Sequence, residues 1–532
     1  MKIPAAFNKR QGFFYLILFL CILSYGNSLH HGFLLDDYNL LFNEGGMKSL
    51  PSNWSLITHH FQGFYRPLGA LFIKYCYIFF TDHSSAYHVL NLGLFVLICF
   101  LFFILISQLT NDAKLALLAV CLFCVHPVNN MLINYKTAGM LSLFILGMQL
   151  STLFFIKYSS GGRGLFYSLS LVFYFLSLMA HEVSFMLPVY LFLIMYFLKD
   201  ISIKRCLKML FPFLLVLVIY LFLRSSIKDT RPIDAVFYLH LSLRHYLAAI
   251  MQMVNWYLSK LVVPQNLLFI WDVPIVKDQS VMIKSIEFLF WLGFLFFWIF
   301  IRLKRGILAF SLALFSAGLI PLFMAGFVYT AATNNAVIEP HWFSFPLIGF
   351  FILTAYFLNF LNKKFNHRLG IIICLILGIM IIQTRKSNAF WKDEATYCNY
   401  WLELNPLNGT AWSCKAKLHI KEHDRGYNRL NYNDCNEAAD LAGAFYQNDQ
   451  NEKAINYYTM ALEMDPQCLN ALSGLADLYI DTQNFAQAEK ILKTLIDYYP
   501  EFYPAYPKLI KVYEEQGRIE EADKIRAAKV DF

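Results

Sequence analysis

Long uninterrupted apolar runs fill the first 384 residues of the chain. A bilayer core about 30 Å thick needs roughly 20 apolar residues in helical form. Such spans are predicted near 12–29, 87–107, 113–126, 139–157, 165–180, 183–198, 208–223, 285–301, 307–326, 343–361 and 369–384, eleven in all. The first follows Lys2, Lys9 and Arg10 and lacks a small-residue cleavage site, so it reads as a retained anchor. The stretch 246–263 is also apolar, but it contains Asn255 and Lys260 and ends at Pro264. It is expected to be an interfacial or re-entrant helix.

Beyond residue 384 the pattern changes to short amphipathic periods. Pro466 and Pro500 are 34 residues apart, the period of a tetratricopeptide repeat. Counting back from Pro466 puts Leu441, Ala442, Phe445, Ala454, Tyr458 and Ala461 at helix-pair packing positions; from Pro500 the same offsets give Leu475, Ala476, Tyr479, Ala488, Leu492 and Leu495. A third unit begins with Tyr506, Leu509, Tyr513 and Ala522. Upstream, Trp391–Glu394 and Glu403–Pro406 look like part of a degenerate repeat, and residues 407–434 are irregular. The predicted fold is therefore all-α: a polytopic membrane helix bundle over 1–384 and a soluble helical-repeat solenoid over 385–532. A short array of this kind is a docking surface for protein or a brace for the membrane part.

Composition supports the membrane reading. The 532 residues are 58% hydrophobic, 17% aromatic and only 15% charged, against about 25% charged in ordinary globular domains. A wholly soluble enzyme is excluded. Residues 385–532 hold 23 acidic and 17 basic side chains, leaving 13 acidic and 27 basic in 1–384. The basic surplus thus belongs to the membrane part, where it fits loops against anionic lipid and not nucleic acid.

With the N-terminus cytoplasmic, the clusters Lys157/Arg163, Lys199–Lys208, Arg302–Arg305 and Lys363–Arg368 all fall on the cytoplasmic side, as the positive-inside rule requires. The polar loops and the repeat tail then lie outside, in the bacterial periplasm by preference or the endoplasmic reticulum lumen. Cys121-x-x-Cys124 lies within an apolar helix and reads as packing. Cys398, Cys414, Cys435 and Cys468 in the tail allow disulfides without fixing a pairing.

The outer loops gather the groups with chemical potential. The first contains His31, Asp36, Asp37, Asn39 and Glu44, then Tyr65-Arg66-Pro67. Others hold His126-Pro127, His181-Glu182, Arg224 through Arg244 and Glu339-Pro340-His341-Trp342. Two adjacent carboxylates near the headgroups can orient a hydroxyl, take its proton or bind a divalent cation; a solvated loop is the plain alternative. His126 reads first as a helix cap, whereas an ionisable group at a membrane boundary, such as Glu182, is commonly functional. Arg66, Arg224, Arg231 and Arg244 are candidates for a phosphate contact.

In this order the motifs resemble the GT-C superfamily of lipid-linked-sugar glycosyltransferases, and most closely the transmembrane, tetratricopeptide-repeat-containing O-mannosyltransferases, relatives of the protein O-mannosyltransferases. The likeness covers nearly the whole chain. It implies that Asp36 and Asp37 are the catalytic signature, and it matches Arg66-Pro67, His126-Pro127 and His181-Glu182 to family elements, the last without the family's lysine. Glu339-Pro340-His341 stands where the family has glutamate-arginine-tyrosine. The family's arginine-x-aspartate after the histidine-proline turn is missing, with Thr137 and Gly139 near that place.

The implied activity is transfer of mannose or another hexose from a polyprenyl-phosphate donor to a hydroxyl acceptor, protein Ser/Thr foremost, with inversion. One of Asp36 and Asp37 is the expected base. Arg66, His126, Glu182, Arg224, Glu339 and His341 are expected substrate contacts, and any divalent cation would sit at Asp36 and Asp37. Expected partners are membrane lipid, the lipid-linked donor and a protein acceptor or partner on the repeats. The alternatives are a transporter or flippase, a non-catalytic assembly scaffold, and transfer onto lipid or polysaccharide.

Overall fold

In the computed structural model the chain forms two units, Met1–Asp393 and Glu394–Phe532. The structure describes residues 5–42, 46–61, 64–227, 243–268, 271–274, 306–321, 335–339, 341, 344–366, 368–404, 414, 435–447, 450–500, 502 and 504–528. The expected span 285–301 and the cluster Arg302–Arg305 lie outside these residues. The expected boundary after residue 384 moves to Asp393, because the last membrane helix runs on from Gly370 to Ala389.

The first unit is a bundle of apolar helices whose ends are set by local chemistry. Asp112 caps the Ala113–Val125 helix by accepting from the backbone N–H groups of Lys114 and Leu115. Asn111, at φ 54°, closes the 27-residue Ser84–Thr110 helix in the left-handed conformation that Asn tolerates. Pro127 follows His126 and starts a new turn, so Ala113–Val125 and Pro127–Asn134 meet at a 61° bend.

Among the described residues five helices are long and apolar enough to cross a membrane: Gln11–Ser28, Ser84–Thr110, Lys136–Ser159, Ile203–Ser225 and Gly370–Ala389; the bent pair makes a sixth. The described residues do not confirm the expected eleven. The segments anticipated at 165–180 and 183–198 form the shorter helices Gly164–Ala180 and Glu182–Leu198; of 307–326, the described part contains the helix Ile307–Gly318, and 322–326 lie outside the described residues.

Two further corrections bear on the site. Residues Pro67–Phe80, expected to be loop, form an apolar helix of 14 residues. Strands Trp271–Pro274 and Asn335–Ile338 pair antiparallel, Asp272 opposite Val337, so among the described residues the helices are joined by one short ribbon. Glu339 follows this ribbon directly.

Polar hydrogen bonds gather the helix ends at one end of the bundle. Asn388 donates to Ser24 O and Thr384 to Val125 O. Tyr25 donates to His126 O, and Asn91 to the carbonyls of Tyr135 and Lys136. Gly32 N–H donates to Lys392 O at 2.8 Å, so the first unit's last residues lie beside its first polar loop.

The second unit contains three helix pairs: Cys435–Gln447 with Asn451–Met464, Leu469–Asp481 with Phe485–Tyr498, and Ala505–Glu515 with Ile519–Ala528. Ala442, Ala454, Ala461, Ala476, Ala488 and Ala522 are fully buried at the predicted small positions. Leu441, Phe445, Tyr458, Leu475, Leu492, Leu495, Leu509 and Tyr513 fill the spaces between helices. Gly474 meets the Tyr458 ring so closely that a Cβ there would clash. Disulfides join Cys398 to Cys414 and Cys435 to Cys468, with Cα separations of 5.9 and 6.2 Å; the second ties one repeat to the next.

Candidate functional site

The two acids of the first loop are separated by their own helix. Asp36–Leu41 is helical, and consecutive helical residues point about 100° apart, so Asp36 is exposed while Asp37 is fully buried. Oδ1 of Asp37 accepts from Thr137 N–H at 3.0 Å and from the Thr137 hydroxyl at 3.1 Å. Its Oδ2 accepts from Leu34 N–H at 3.1 Å and Lys136 N–H at 3.4 Å. Between them Leu35 is held at φ 47°, a left-handed geometry that costs a non-glycine residue about 1–3 kcal/mol. Asp37 is a strut binding the first loop to the 134–138 turn.

Burial pushes the Asp37 carboxyl up to about 6, against the pull of Lys136 and of the Thr137 and Leu34 donors. The folded protein therefore holds this proton more tightly than the unfolded chain. The stability so gained is full below about 3.8 and is lost as pH rises through about 6. The first unit is expected to be more stable at pH 5 than at pH 7.5, with Asp37 contributing roughly 1 kcal/mol of the difference. Asp37→Asn, which keeps an acceptor oxygen without the charge, should remove that share. Thermal unfolding of the full chain in detergent at both pH values checks this.

A second cluster joins residues from three distant segments. Arg66, at the start of the Pro67–Phe80 helix, grips Glu182 bidentately: Nε to Oε2 at 2.8 Å and a terminal nitrogen to Oε1 at 2.7 Å. Gly69 makes the approach possible, since a Cβ there would lie 3.3 Å from Ala180 O. Burial pushes the Glu182 carboxyl up, but the Arg66 charge and its hydrogen bonds outweigh this and hold it well below the usual range. The Arg66 guanidinium also lies 4.3 Å over the Phe64 ring.

His181, next to Glu182, is buried, and its Nδ1 accepts from Val183 N–H at 3.2 Å. That contact leaves the ring proton on Nε2, which lies 3.4 Å from Nε2 of His341. His341 Nδ1 lies 3.3 Å from Oε2 of Glu339 without a hydrogen bond between them. Burial lowers both imidazoles, His181 to about 3, with the Arg66 charge acting in the same direction; both are neutral at pH 7. Glu339 is raised to about 7 by burial, with Asp36 and Glu182 adding and Arg66 opposing. The exposed acid of the first loop thus acts through space on a carboxyl that follows the ribbon.

Of the residues nominated from sequence, Arg66, Glu182, Glu339 and His341 come together, with Asp36 in electrostatic reach. His126 does not join them. It is fully buried, its Nδ1 accepts from Val128 N–H and its Nε2 contacts Leu261 O at 3.2 Å, which makes it a helix cap. Arg224 is exposed and acts through space on Tyr220 and His181. Glu44, Arg231, Pro340, Trp342 and the side chain of Arg244 lie outside the described residues. From sequence, His181 stands out only as a neighbour of Glu182 and Thr137 only near the place of the missing arginine-x-aspartate, while Lys136 and Tyr220 give no signal.

A divalent cation on the acidic doublet does not fit this arrangement. Both Asp37 oxygens are engaged by protein donors, and among the described residues no three His, Cys, Asp or Glu side chains converge on a metal-sized site. Cys121 and Cys124 are buried and unbridged, with Cys124 Sγ donating to Cys121 O.

Among known protein families, the tetratricopeptide repeat matches residues 445–510. That match agrees with the helix pairs, and repeats of this type serve protein interaction through their concave face. None of the curated proteins matches the chain.

Proposed function

We propose that the chain is a GT-C-type membrane glycosyltransferase. It moves a hexose from a polyprenyl-phosphate donor to a hydroxyl acceptor, protein Ser/Thr foremost, on the extracytoplasmic face and with inversion. One observation supports this most: Arg66, Glu182, His341 and Glu339, spread over more than 270 positions, form one linked polar cluster at an end of an apolar bundle, beside Asp36. Ionisable groups held in this way in a membrane protein are expensive and serve function.

The Ile203–Ser225 helix offers a route for the donor. Leu214, Leu215, Val218, Ile219, Leu221 and Phe222 are exposed along it, a surface for a polyprenyl tail, and Arg224 stands at its polar end. Arg66 is already committed to Glu182, so Arg224 is the cation assigned to the phosphate. The acceptor oxygen attacks the anomeric carbon from the face opposite the phosphate. The carbon–phosphate-oxygen bond breaks, the phosphate leaves with the electron pair, and a carboxylate of the site takes the hydroxyl proton. Asp36, the exposed acid, orients the acceptor; Asp37 holds the loop.

The repeat unit presents the protein acceptor or a partner. Two disulfides in that unit suit an oxidising compartment, the same side as the proposed active site. Purified full-length chain in lipid nanodiscs, given labelled polyprenyl-phosphate mannose and a Ser/Thr-rich peptide, should release polyprenyl phosphate. A transporter or scaffold leaves the donor intact.

A further inference from the structure

We propose that the Pro67–Phe80 helix, with the Asn53–Thr58 helix fastened to it, is an interfacial foot. It lies in the surface of the bilayer at the site end of the bundle and takes anionic phospholipid headgroups on Lys48 and Lys74. This goes beyond the glycosyl-transfer reading and does not depend on it.

The direction of the longer helix follows from what it touches. Asn91 bonds the carbonyls of Tyr135 and Lys136, and Gln149 bonds Ile98 O, so the Ser84–Thr110 and Gly139–Ser159 helices start at the same end. Ser151 bonds Ser170 O, and a Cβ on Gly147 would meet Ser177, so Gly164–Ala180 runs antiparallel and finishes there. Pro67–Phe80 reaches all three of these helix ends. A Cβ on Gly69 would lie 3.3 Å from Ala180 O and from the Met140 Cβ, and one on Gly139 would meet the Phe72 ring. Just past the helix, Thr81 O accepts from the Tyr87 hydroxyl at 3.2 Å. The helix therefore crosses the end of the bundle instead of running along it. Its 14 residues cover about 21 Å, less than the roughly 30 Å of a bilayer core.

Both sides of this helix are apolar. Ala70, Ile73 and Cys76 pack inward with Leu41, Met47 and Leu56. Outward, Tyr75, Ile78 and Phe79 are exposed, Phe79 by 76%, an arrangement that suits lipid and not water. Asn53 fastens the shorter helix to the outward side: it accepts from Lys74 Nζ at 2.8 Å and donates to the Tyr75 hydroxyl at 2.9 Å. Beside it Trp54 is 72% exposed, and Leu50 and Ile57 are exposed as well. Indole and phenol rings among aliphatic chains, with lysine stems reaching past them, are the composition of a headgroup layer. With Arg66 paired to Glu182, Lys48 and Lys74 stand against Asp82 across 46–61 and 64–83. That net positive charge favours an anionic leaflet. Arg66 directly precedes the helix, so the foot holds the Arg66–Glu182 pair at headgroup depth.

Spin labels on the full chain in nanodiscs test this. Phe79→Cys, Ile57→Cys and Asp82→Cys are each made in a Cys374→Ser background, because Cys374 is an exposed free thiol. Labels at 79 and 57 should be relaxed by oxygen and shielded from an uncharged nickel chelate, as expected about 5–10 Å into the headgroup and acyl boundary; the label at 82 should be open to the chelate. Replacing phosphatidylcholine by an equimolar mixture with phosphatidylglycerol should raise the oxygen-to-nickel ratio at 79 by ~2-fold or more, and Lys48→Gln/Lys74→Gln should abolish that rise. A label at 79 as open to nickel as the one at 82 places the patch in water and overturns the proposal. A label closed to both reagents shows protein covering the patch and overturns it equally. A rise that persists in the double variant, or no rise in the wild type, overturns the headgroup assignment.

Discussion

Glu182→Gln is expected to destabilise the first unit by roughly 3 kcal/mol. Both Glu182 oxygens accept from Arg66, at 2.7 and 2.8 Å. An amide supplies one acceptor and turns its NH2 group toward a guanidinium N–H, leaving a buried cation poorly paired. The estimate takes the low end for a broken buried pair, because the partners retain 14% and 30% of their side-chain surface. The double variant Arg66→Met/Glu182→Met removes both charges and should recover most of the loss, since the penalty lies in the orphaned ion. Cys21, Cys99, Cys121 and Cys124 are buried, so a thiol-reactive dye reports the unfolding of this unit on heating. A single variant within about 0.5 kcal/mol of wild type would show that the pair carries little stability.

The acidic doublet should divide sharply in function. Asp36→Asn is expected to lower sugar transfer by about 100-fold, through loss of acceptor orientation. Asp37→Asn should stay within about 3-fold of wild type in turnover, because Asp37 is buried away from substrate; its amide oxygen can still accept from Thr137, while its NH2 group meets the Leu34 and Lys136 N–H groups and lowers stability. Asp37→Ala is a different matter: it strands the Leu34, Lys136 and Thr137 N–H groups and the Thr137 hydroxyl, and should destabilise the unit by several kcal/mol. Initial rates of polyprenyl-phosphate release, compared for the two Asn variants, decide between this division and a shared role. Equal losses in both would return the base to the doublet.

Why the doublet divides was not legible in its sequence. Two adjacent acids suggest a pair acting together, but a helix of six residues turns them to opposite environments. The missing arginine-x-aspartate was read only as a departure from the resembled family, yet Thr137 at that place is the group that holds Asp37. Arg66 and Glu182 were legible because ionisable side chains at apolar boundaries stand out. That they grip each other across 116 positions was not, since the approach depends on Gly69 and on a helix too short to register as a span. The ribbon that delivers Glu339 consists of two four-residue strands 64 positions apart, below the reach of periodicity. His126 illustrates the reverse: a polar residue at a helix end that serves its own backbone. The repeats were the most legible part, because a 34-residue period fixes which small and large residues must meet.

Product analysis tests the central claim most directly. The full chain in nanodiscs is supplied with α- or β-linked polyprenyl-phosphate mannose and a Ser/Thr peptide, and the glycopeptide is examined by mass spectrometry and NMR. A peptide carrying one hexose on a hydroxyl, with the anomeric configuration opposite to that of the donor, is the predicted result. Intact donor with unmodified peptide, or a product that keeps the donor's configuration, would contradict the account.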